Sequence, residues 1–170
     1  MNDTITAIST AVGNSGISII RISGEDAFNI AGKLMKLSST DVDKIESHSI
    51  KYGHIYNETD VVDEVLVSFM KGPKTYTRED VVEINCHGGA FITKKVLETA
   101  IKAGARLAEP GEFTKRAFLS GRIDLTQAEA VMDIIRADSD YAIKSAGRRL
   151  NGGIGGKLKP VKDSILTDMA

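Results

Sequence analysis

Strand-like and helix-like patterns alternate along the first 119 residues, and this alternation constrains the possible folds more than any other feature. The β-branched runs Thr4 to Ser9 and Gly16 to Ser23 are predicted to be strands, joined by a turn within TAVGNSG. Gly24 to Leu37 places its apolar residues on one helical face, and the polar SSTDVDK after it is predicted to be a loop. The opening residues therefore predict a sheet with a helix on one face.

The middle of the chain continues the same alternation. Ser49 to Tyr56 and Val61 to Met70 are predicted to pair as two strands across a short turn, and Val81 to Cys86 is predicted to be a further strand. Gly89 to Ala103 then has a helical pattern, which Gly104 is expected to end. The inward residues predicted for this helix are Phe91, Val96, Leu97 and Ile101.

From Thr126 onward the pattern is helical only. Thr126 and Glu129 have the spacing of a capping box, so a long helix is predicted to begin near Thr126 and to run through Arg149. This change divides the chain into an α/β (α+β) mixed-sheet domain at 1–119 and the first helices of an all-α domain at 120–170. Because the sequence stops within an amphipathic pattern, we expect it to be a piece of a longer chain. The apolar residues of that last pattern are Leu158, Val161, Ile165 and Leu166.

Charge and composition argue against several classes of protein. The 22 basic and 23 acidic side chains nearly cancel, so the strongly basic surface of a dedicated nucleic-acid binder is missing. No apolar run approaches the roughly 20 residues of a membrane helix, and the N-terminus lacks a signal-peptide pattern, so the cytoplasm is the expected location. The one cysteine, Cys86, excludes an internal disulfide and is expected to be a small core residue.

Two charged residues interrupt apolar strands. Arg21 lies between Ile20 and Ile22, and Glu83 follows Val82 in VVEINC. A charged group in such a place needs water or a partner, because a buried unpaired ion costs on the order of several kcal/mol. Three interpretations stay open: Arg21 binds an anion, strand alternation points Glu83 to solvent, or the two side chains pair with each other.

Two glycine-containing segments suggest ligand binding only weakly. After the Glu83 strand, His87, Gly88 and Gly89 open a helix whose backbone N–H groups could face an anion, but a glycine pair leading into a helix is the simpler interpretation. The histidines have no recognisable metal-ligand spacing, so no metal is predicted. The string NGGIGGKL at 151–158 lacks the first glycine and the final hydroxyl residue of a phosphate-binding loop, so no GTP is expected to bind there.

Three longer motifs occur in a particular order and spacing. They are DTITAIS with GISIIRISG at 3–24, TYTREDVVEINCHGG at 75–89 and PGEFTKRAFLSGRIDLTQAEAV at 110–131. Together they resemble the N-terminal part of the tRNA modification GTPase family MnmE, also called TrmE. The resemblance implies a domain similar to the folate-binding domains of the glycine-cleavage aminomethyltransferase, and a homodimer formed through that domain.

The same resemblance implies a cofactor and its binding residues. The implied ligand is 5-formyl-tetrahydrofolate, with Glu83 accepting hydrogen bonds from the amino group and the ring N–H of the pterin edge. Arg21 and Arg122 match positions that would serve the glutamate tail and the polar ring edge. A further family contact comes from a lysine at the far C-terminus, beyond the end of this sequence. No catalytic residue and no metal ligand are implied here.

For the whole protein, the resemblance implies a GTPase that acts with a flavin-dependent partner, MnmG (GidA), to install an aminomethyl-type group at C5 of the wobble uridine of tRNA. GTP, Mg²⁺ and K⁺ would belong to a GTPase domain that is absent from this sequence, so these residues are not expected to hydrolyse GTP. Two alternatives stay open: a stand-alone folate-dependent enzyme resembling an aminomethyltransferase, and a dimerisation scaffold in which Arg21 and Glu83 pair and no folate binds.

Overall fold

The computed structural model describes residues 3–152, and in this part of the chain six strands form one mixed sheet. The strands are β1 (Ile5–Ile8), β2 (Ser15–Ser23), β3 (Ser49–Asn57), β4 (Asp60–Met70), β5 (Val81–Gly88) and β6 (Arg106–Leu107). The helices are α1 (Ala27–Met35), α2 (Ser39–Asp43), α3 (Ala90–Lys102), α4 (Glu112–Leu119), α5 (Leu125–Arg136) and α6 (Asp140–Leu150). The predicted α/β class with a mixed sheet is confirmed.

The strands lie in the order β3-β4-β5-β2-β1-β6. Neighbouring strands run antiparallel except for β1 and β6, which run parallel. All five predicted strands are confirmed, whereas β6 has two residues and is too short to leave a pattern in the sequence. This order brings β2 and β5 side by side at the centre of the sheet, although they are far apart in the chain.

The core lies between one face of the sheet and the helices α1 and α3. The ring of Phe28 on α1 meets that of Phe69 on β4 edge-on, with 5.2 Å between the ring centroids. Cys86 is 2% exposed within this core, so its prediction as a small core residue is confirmed. Because successive side chains of a strand point to opposite faces, Arg21 and Glu83 lie on the face away from this core.

Side-chain capping corrects two predictions. The polar segment predicted to be a loop forms α2, because Ser38 and Asp41 make a capping box in which each side chain binds the backbone N–H of the other residue. The predicted helix start near Thr126 is confirmed, since α5 begins at Leu125, but the predicted capping box of Thr126 and Glu129 is wrong, because Asp124 and Gln127 make it. Both boxes satisfy backbone donors that a helix start would otherwise leave free.

The prediction of the inward face of α3 is wrong in part. Val96 is fully buried and Leu97 packs against the core, as predicted. Phe91, however, is 82% exposed and Ile101 is 37% exposed. The buried stripe runs instead through the smaller residues Thr93, Val96, Thr99 and Ala100, because these positions recur on the side of the helix that faces the sheet.

The chain divides into two compact units, the first ending at Phe113 and the second beginning at Thr114. The predicted division after residue 119 stays a prediction. Within the second unit, the single long helix predicted through Arg149 is wrong, because the chain forms α5 and α6 with a break between them. Ala137 has extended backbone, and the hydroxyl of Ser139 then caps α6 by accepting a hydrogen bond from the backbone N–H of Ala142.

Two side-chain contacts join α5 to α6. The amide of Gln127 donates to the carbonyl oxygen of Leu150 at 2.7 Å, and Arg149 pairs with Asp133 at 2.7 Å. None of the helices within residues 3–152 combines the length and apolarity needed to cross a membrane. Most of the string NGGIGGKL and the whole of the last predicted helical stripe lie outside the described residues.

Candidate ligand-binding site

The centre of the site is a cross-strand pair on β2 and β5. Arg21 stands directly opposite Glu83 in the antiparallel register of these strands. The Nη2 of Arg21 lies 2.7 Å from the Oε1 of Glu83, and Nε donates to the same oxygen at 2.8 Å. Of the interpretations open from sequence, the structure therefore realises the ion pair.

This pair sits on the sheet surface without being fully solvated. The side chain of Arg21 is 29% exposed and that of Glu83 is 23% exposed. Their strand neighbours Ile20, Ile22 and Ile84 are buried on the opposite face, so each charged residue leaves the core by strand alternation. A pair at this depth is screened by water only in part, so it can still hold both side chains in one orientation.

The pair leaves hydrogen-bonding groups available to a ligand. Both contacts from Arg21 go to one carboxylate oxygen, Oε1 of Glu83. Among residues 3–152, the other oxygen, Oε2, and the Nη1 group of Arg21 have no protein partner. The site thus offers one anionic acceptor and one cationic donor on the open face of the sheet.

The guanidinium of Arg21 lies over an aromatic ring. The Cζ of Arg21 lies 5.6 Å from the ring centroid of Phe113, within the range of a cation–π contact. Phe113 was not among the residues predicted for the site. It belongs to the motif PGEFTKRAF, in which it follows a turn and an acidic residue. An aromatic residue at such a position is the one sequence signal that could have identified it.

Arg122, the third predicted site residue, belongs to the second unit. It follows Gly121, whose φ of +71° turns the chain at the end of α4. Its backbone N–H donates to the carbonyl oxygen of Ala117 at 3.0 Å, and its side chain is exposed. The structure therefore brings Arg21 and Glu83 together and places Arg122 at the exposed end of a helix.

The segment after Glu83 has local partners of its own. Burial raises the pKa of Cys86 to about 11, with the nearby carboxylate of Asp63 adding to the effect, which keeps the thiol protonated and weakly reactive.

The Nδ1 of His87 lies 2.7 Å from Oδ1 of Asp63, and the backbone N–H of His87 donates to Oδ2 of the same residue at 2.8 Å. Gly88 is part of β5, opposite Ser15. Among residues 3–152, no three His, Cys, Asp or Glu side chains are grouped to hold a metal ion.

Comparison with known proteins identifies the family. The sequence profile of the family described as GTP-binding protein TrmE N-terminus matches residues 4–122. Proteins named tRNA modification GTPase MnmE are 60% identical over 167 residues in Thermoanaerobacter pseudethanolicus and 54% identical over 168 residues in Streptococcus thermophilus. A protein of the same name in Lachnoclostridium phytofermentans is 52% identical over 170 residues.

These matches cover 96% to 99% of this chain but 36% to 37% of the relatives. The chain thus spans a little over a third of the length of the curated relatives it matches. The chain belongs to the family of the GTP-binding protein TrmE N-terminus.

Proposed function

We propose that this chain is the N-terminal part of a tRNA modification GTPase and that it binds 5-formyl-tetrahydrofolate, or a related tetrahydrofolate, through Arg21 and Glu83. The observation that carries the proposal is the cross-strand pair, which keeps a carboxylate oxygen and a guanidinium amine available on the open face of the sheet. The family membership supports the first half of the proposal, and the chemistry of the pair supports the second.

The pterin edge of a tetrahydrofolate fits the groups that the pair provides. This edge carries an amino group and a ring N–H, which are donors, next to a carbonyl oxygen, which is an acceptor. Oε2 of Glu83 can accept from the donors with charge assistance, while Nη1 of Arg21 can donate to the acceptor. The contact between Arg21 and Glu83 orients both groups before a ligand arrives, which lowers the entropic cost of binding.

The resemblance to the family supports our further proposal that Arg122 serves the anionic glutamate tail or the polar ring edge of the folate. We further propose that the chain forms a homodimer through its N-terminal domain and that the full-length protein is cytoplasmic. With a flavin-dependent partner, MnmG (GidA), the full-length protein would modify C5 of the wobble uridine of tRNA. GTP, Mg²⁺ and K⁺ would act in a separate GTPase domain of that longer protein.

Calorimetric titration of the purified chain with 5-formyl-tetrahydrofolate tests the folate site. We expect saturable binding by the unaltered chain, a loss of at least about tenfold in affinity for Glu83→Gln, and a similar loss for Arg21→Gln. Glu64→Gln on β4, an exposed carboxylate, is the matched control and should bind as the unaltered chain does. The proposal is wrong if the unaltered chain unfolds cooperatively on heating and has the mass of a homodimer in solution but gives no binding heat.

A second candidate function is supported by the ion pair itself. If the role of Arg21 and Glu83 is to join β2 to β5, the chain is a dimerisation scaffold that binds no folate. Under this interpretation Glu83→Gln lowers stability by about 1 kcal/mol and changes nothing in the titration. Loss of folate binding by Glu83→Gln with an unchanged melting temperature favours the binding site. Absence of binding by the unaltered chain, together with a lower melting temperature for Glu83→Gln, favours the scaffold.

A further inference from the structure

Phe113 is the first aromatic residue of α4, and its ring is half-buried against Arg21. A flat heterocycle that hydrogen-bonds to the edge of a guanidinium lies close to the plane of that guanidinium. The Cζ of Arg21 lies over the ring of Phe113, 5.6 Å from its centroid, so a heterocycle held by the same guanidinium would also lie near this ring.

The residues before Phe113 fix its backbone in place. Glu112 is 6% exposed, and its Oε1 accepts from Nη2 of Arg106 at 2.6 Å. Its Oε2 accepts from Nη1 of Arg106 at 3.1 Å and from the backbone N–H of Glu109 at 2.7 Å. Nε of Arg106 in turn donates to the carboxylate of Asp3 at 2.6 Å. A ring attached directly after this network is held by charged contacts that do not involve the ring itself.

We propose that Phe113 forms one wall of the ligand site and stacks on the pyrimidine half of the pterin, so that it selects for a flat heterocycle. This inference rests on the proposed folate site. Arg21 and Glu83 then recognise the edge of the heterocycle by hydrogen bonds, and Phe113 recognises its face. Aromatic walls of this kind are common where flat nitrogen heterocycles bind, because every such ring offers a face for stacking.

Titration of three variants with 5-formyl-tetrahydrofolate tests the role of Phe113. Phe113→Leu keeps an apolar side chain and removes the aromatic ring, so we expect the affinity to fall by about tenfold. Phe113→Tyr restores the ring and should bind within about twofold of the unaltered chain. Phe91→Leu removes an exposed ring on α3 and should not change binding. If Phe113→Leu binds as tightly as Phe91→Leu does, the inference is wrong.

A fluorescence readout covers the case in which Phe113→Leu does not fold. The chain contains no tryptophan, so Phe113→Trp introduces a single reporter at the proposed wall. Stacking of a pterin on this reporter should quench its emission with the same dissociation constant that calorimetry gives. Phe91→Trp is the control and should show only the small decrease due to light absorbed by the ligand. Equal quenching in the two variants would contradict the inference.

The two proposals fail in different ways. Absence of binding by the unaltered chain overturns the folate site and the role of Phe113 with it. Normal binding by the unaltered chain and by Phe113→Leu, together with weak binding by Glu83→Gln, overturns the role of Phe113 alone. Weak binding by Phe113→Leu with normal binding by Phe113→Tyr supports both.

Discussion

The guanidinium of Arg106 and the carboxylate of Glu112 form a bidentate ion pair, in which Nη2 donates to Oε1 at 2.6 Å and Nη1 donates to Oε2 at 3.1 Å. Arg106 lies on β6 at the edge of the sheet, and Glu112 is the first residue of α4. The contacts with Glu112 and then with Asp3 raise the pKa of Arg106 above its already high ordinary value. This ion pair joins the first residue of α4 to the sheet. The next residue is Phe113, whose ring contacts the guanidinium of Arg21.

We therefore expect Glu112→Gln to destabilise the chain. The substitution keeps the size of the side chain but turns one acceptor oxygen into an N–H₂ group that faces donors. Leaving buried groups unpaired in this way should lower the free energy of unfolding by about 1–3 kcal/mol. Urea denaturation measures the change. Glu25→Gln, at an exposed position, is the control, and equal midpoints for the two variants would show that the network does not stabilise α4.

The strands were predictable because their apolar alternation is strong and local. The residues at which helices start were harder to predict, because several polar residues near one boundary fit the same capping rule. Thr126 with Glu129 and Asp124 with Gln127 both have capping-box spacing, and the backbone conformation at Asp124 decides between them. Sequence spacing alone does not contain that information.

The candidate site could be predicted residue by residue but not as an arrangement. Arg21 and Glu83 each stand out as a charge within an apolar strand, and their pairing depends on the register between β2 and β5. No local pattern specifies the register of strands so far apart in the chain. The contact between Arg21 and Phe113 is harder still to predict, because it depends on the ion pair between Arg106 and Glu112 at the start of α4.

Gly24 is a position where any side chain should be costly. Its φ of +141° is one that residues with a Cβ rarely adopt, and a Cβ there would lie 2.5 Å from Oγ1 of Thr4 and 2.6 Å from its Cα. Gly24→Ala would also displace the Thr4 hydroxyl, which accepts a hydrogen bond from the backbone N–H of Asp26 at 3.0 Å. We expect a loss of at least about 2 kcal/mol in the free energy of unfolding.

Thermal and urea denaturation measure this loss, with Gly13→Ala as the control. Gly13 lies in the loop between β1 and β2, and a Cβ there would meet no atom within 4 Å. Gly13→Ala should change stability by no more than about 0.5 kcal/mol. Similar values for the two variants would mean that the backbone near Thr4 adapts to a new side chain.

Glu58 is the opposite case, a residue whose replacement by glycine should increase the stability of the chain. It lies in the turn between β3 and β4 with a φ of +57°, a conformation that strains residues with a Cβ. Glu58→Gly should therefore raise the free energy of unfolding by about 0.5–1 kcal/mol, after the greater freedom of glycine in the unfolded chain is subtracted. Thr59→Gly, at the next position, has no such strain to relieve and should lower stability instead. A gain that is equal at both positions would contradict this account of the turn.

Cys86 should make the stability of the chain fall at alkaline pH. Burial raises the pKa of this thiol to about 11 in the folded state, compared with about 9 for an accessible thiol. Below about pH 9 both states keep the proton and the folded state has its full stability. Between about pH 9 and 11 the unfolded chain loses the proton while the folded chain keeps it, so unfolding becomes easier as the pH rises. Denaturation by urea across this range measures the loss, and Cys86→Ala should show a shallower fall than the unaltered chain.

The same burial predicts the reactivity of the thiol. At about pH 8 the folded chain should react only slowly with a disulfide reagent, because the thiolate is scarce and the sulfur is enclosed. The Sγ–H of Cys86 also donates to the carbonyl oxygen of Ser18 at 3.4 Å, which holds the sulfur within the sheet. In concentrated guanidinium chloride the reaction should be fast and stoichiometric, and since Cys86 is the one cysteine of the chain, the signal reports on this residue alone. Rapid labelling of the folded chain would mean that β5 opens at this position far more often than its central place in the sheet implies.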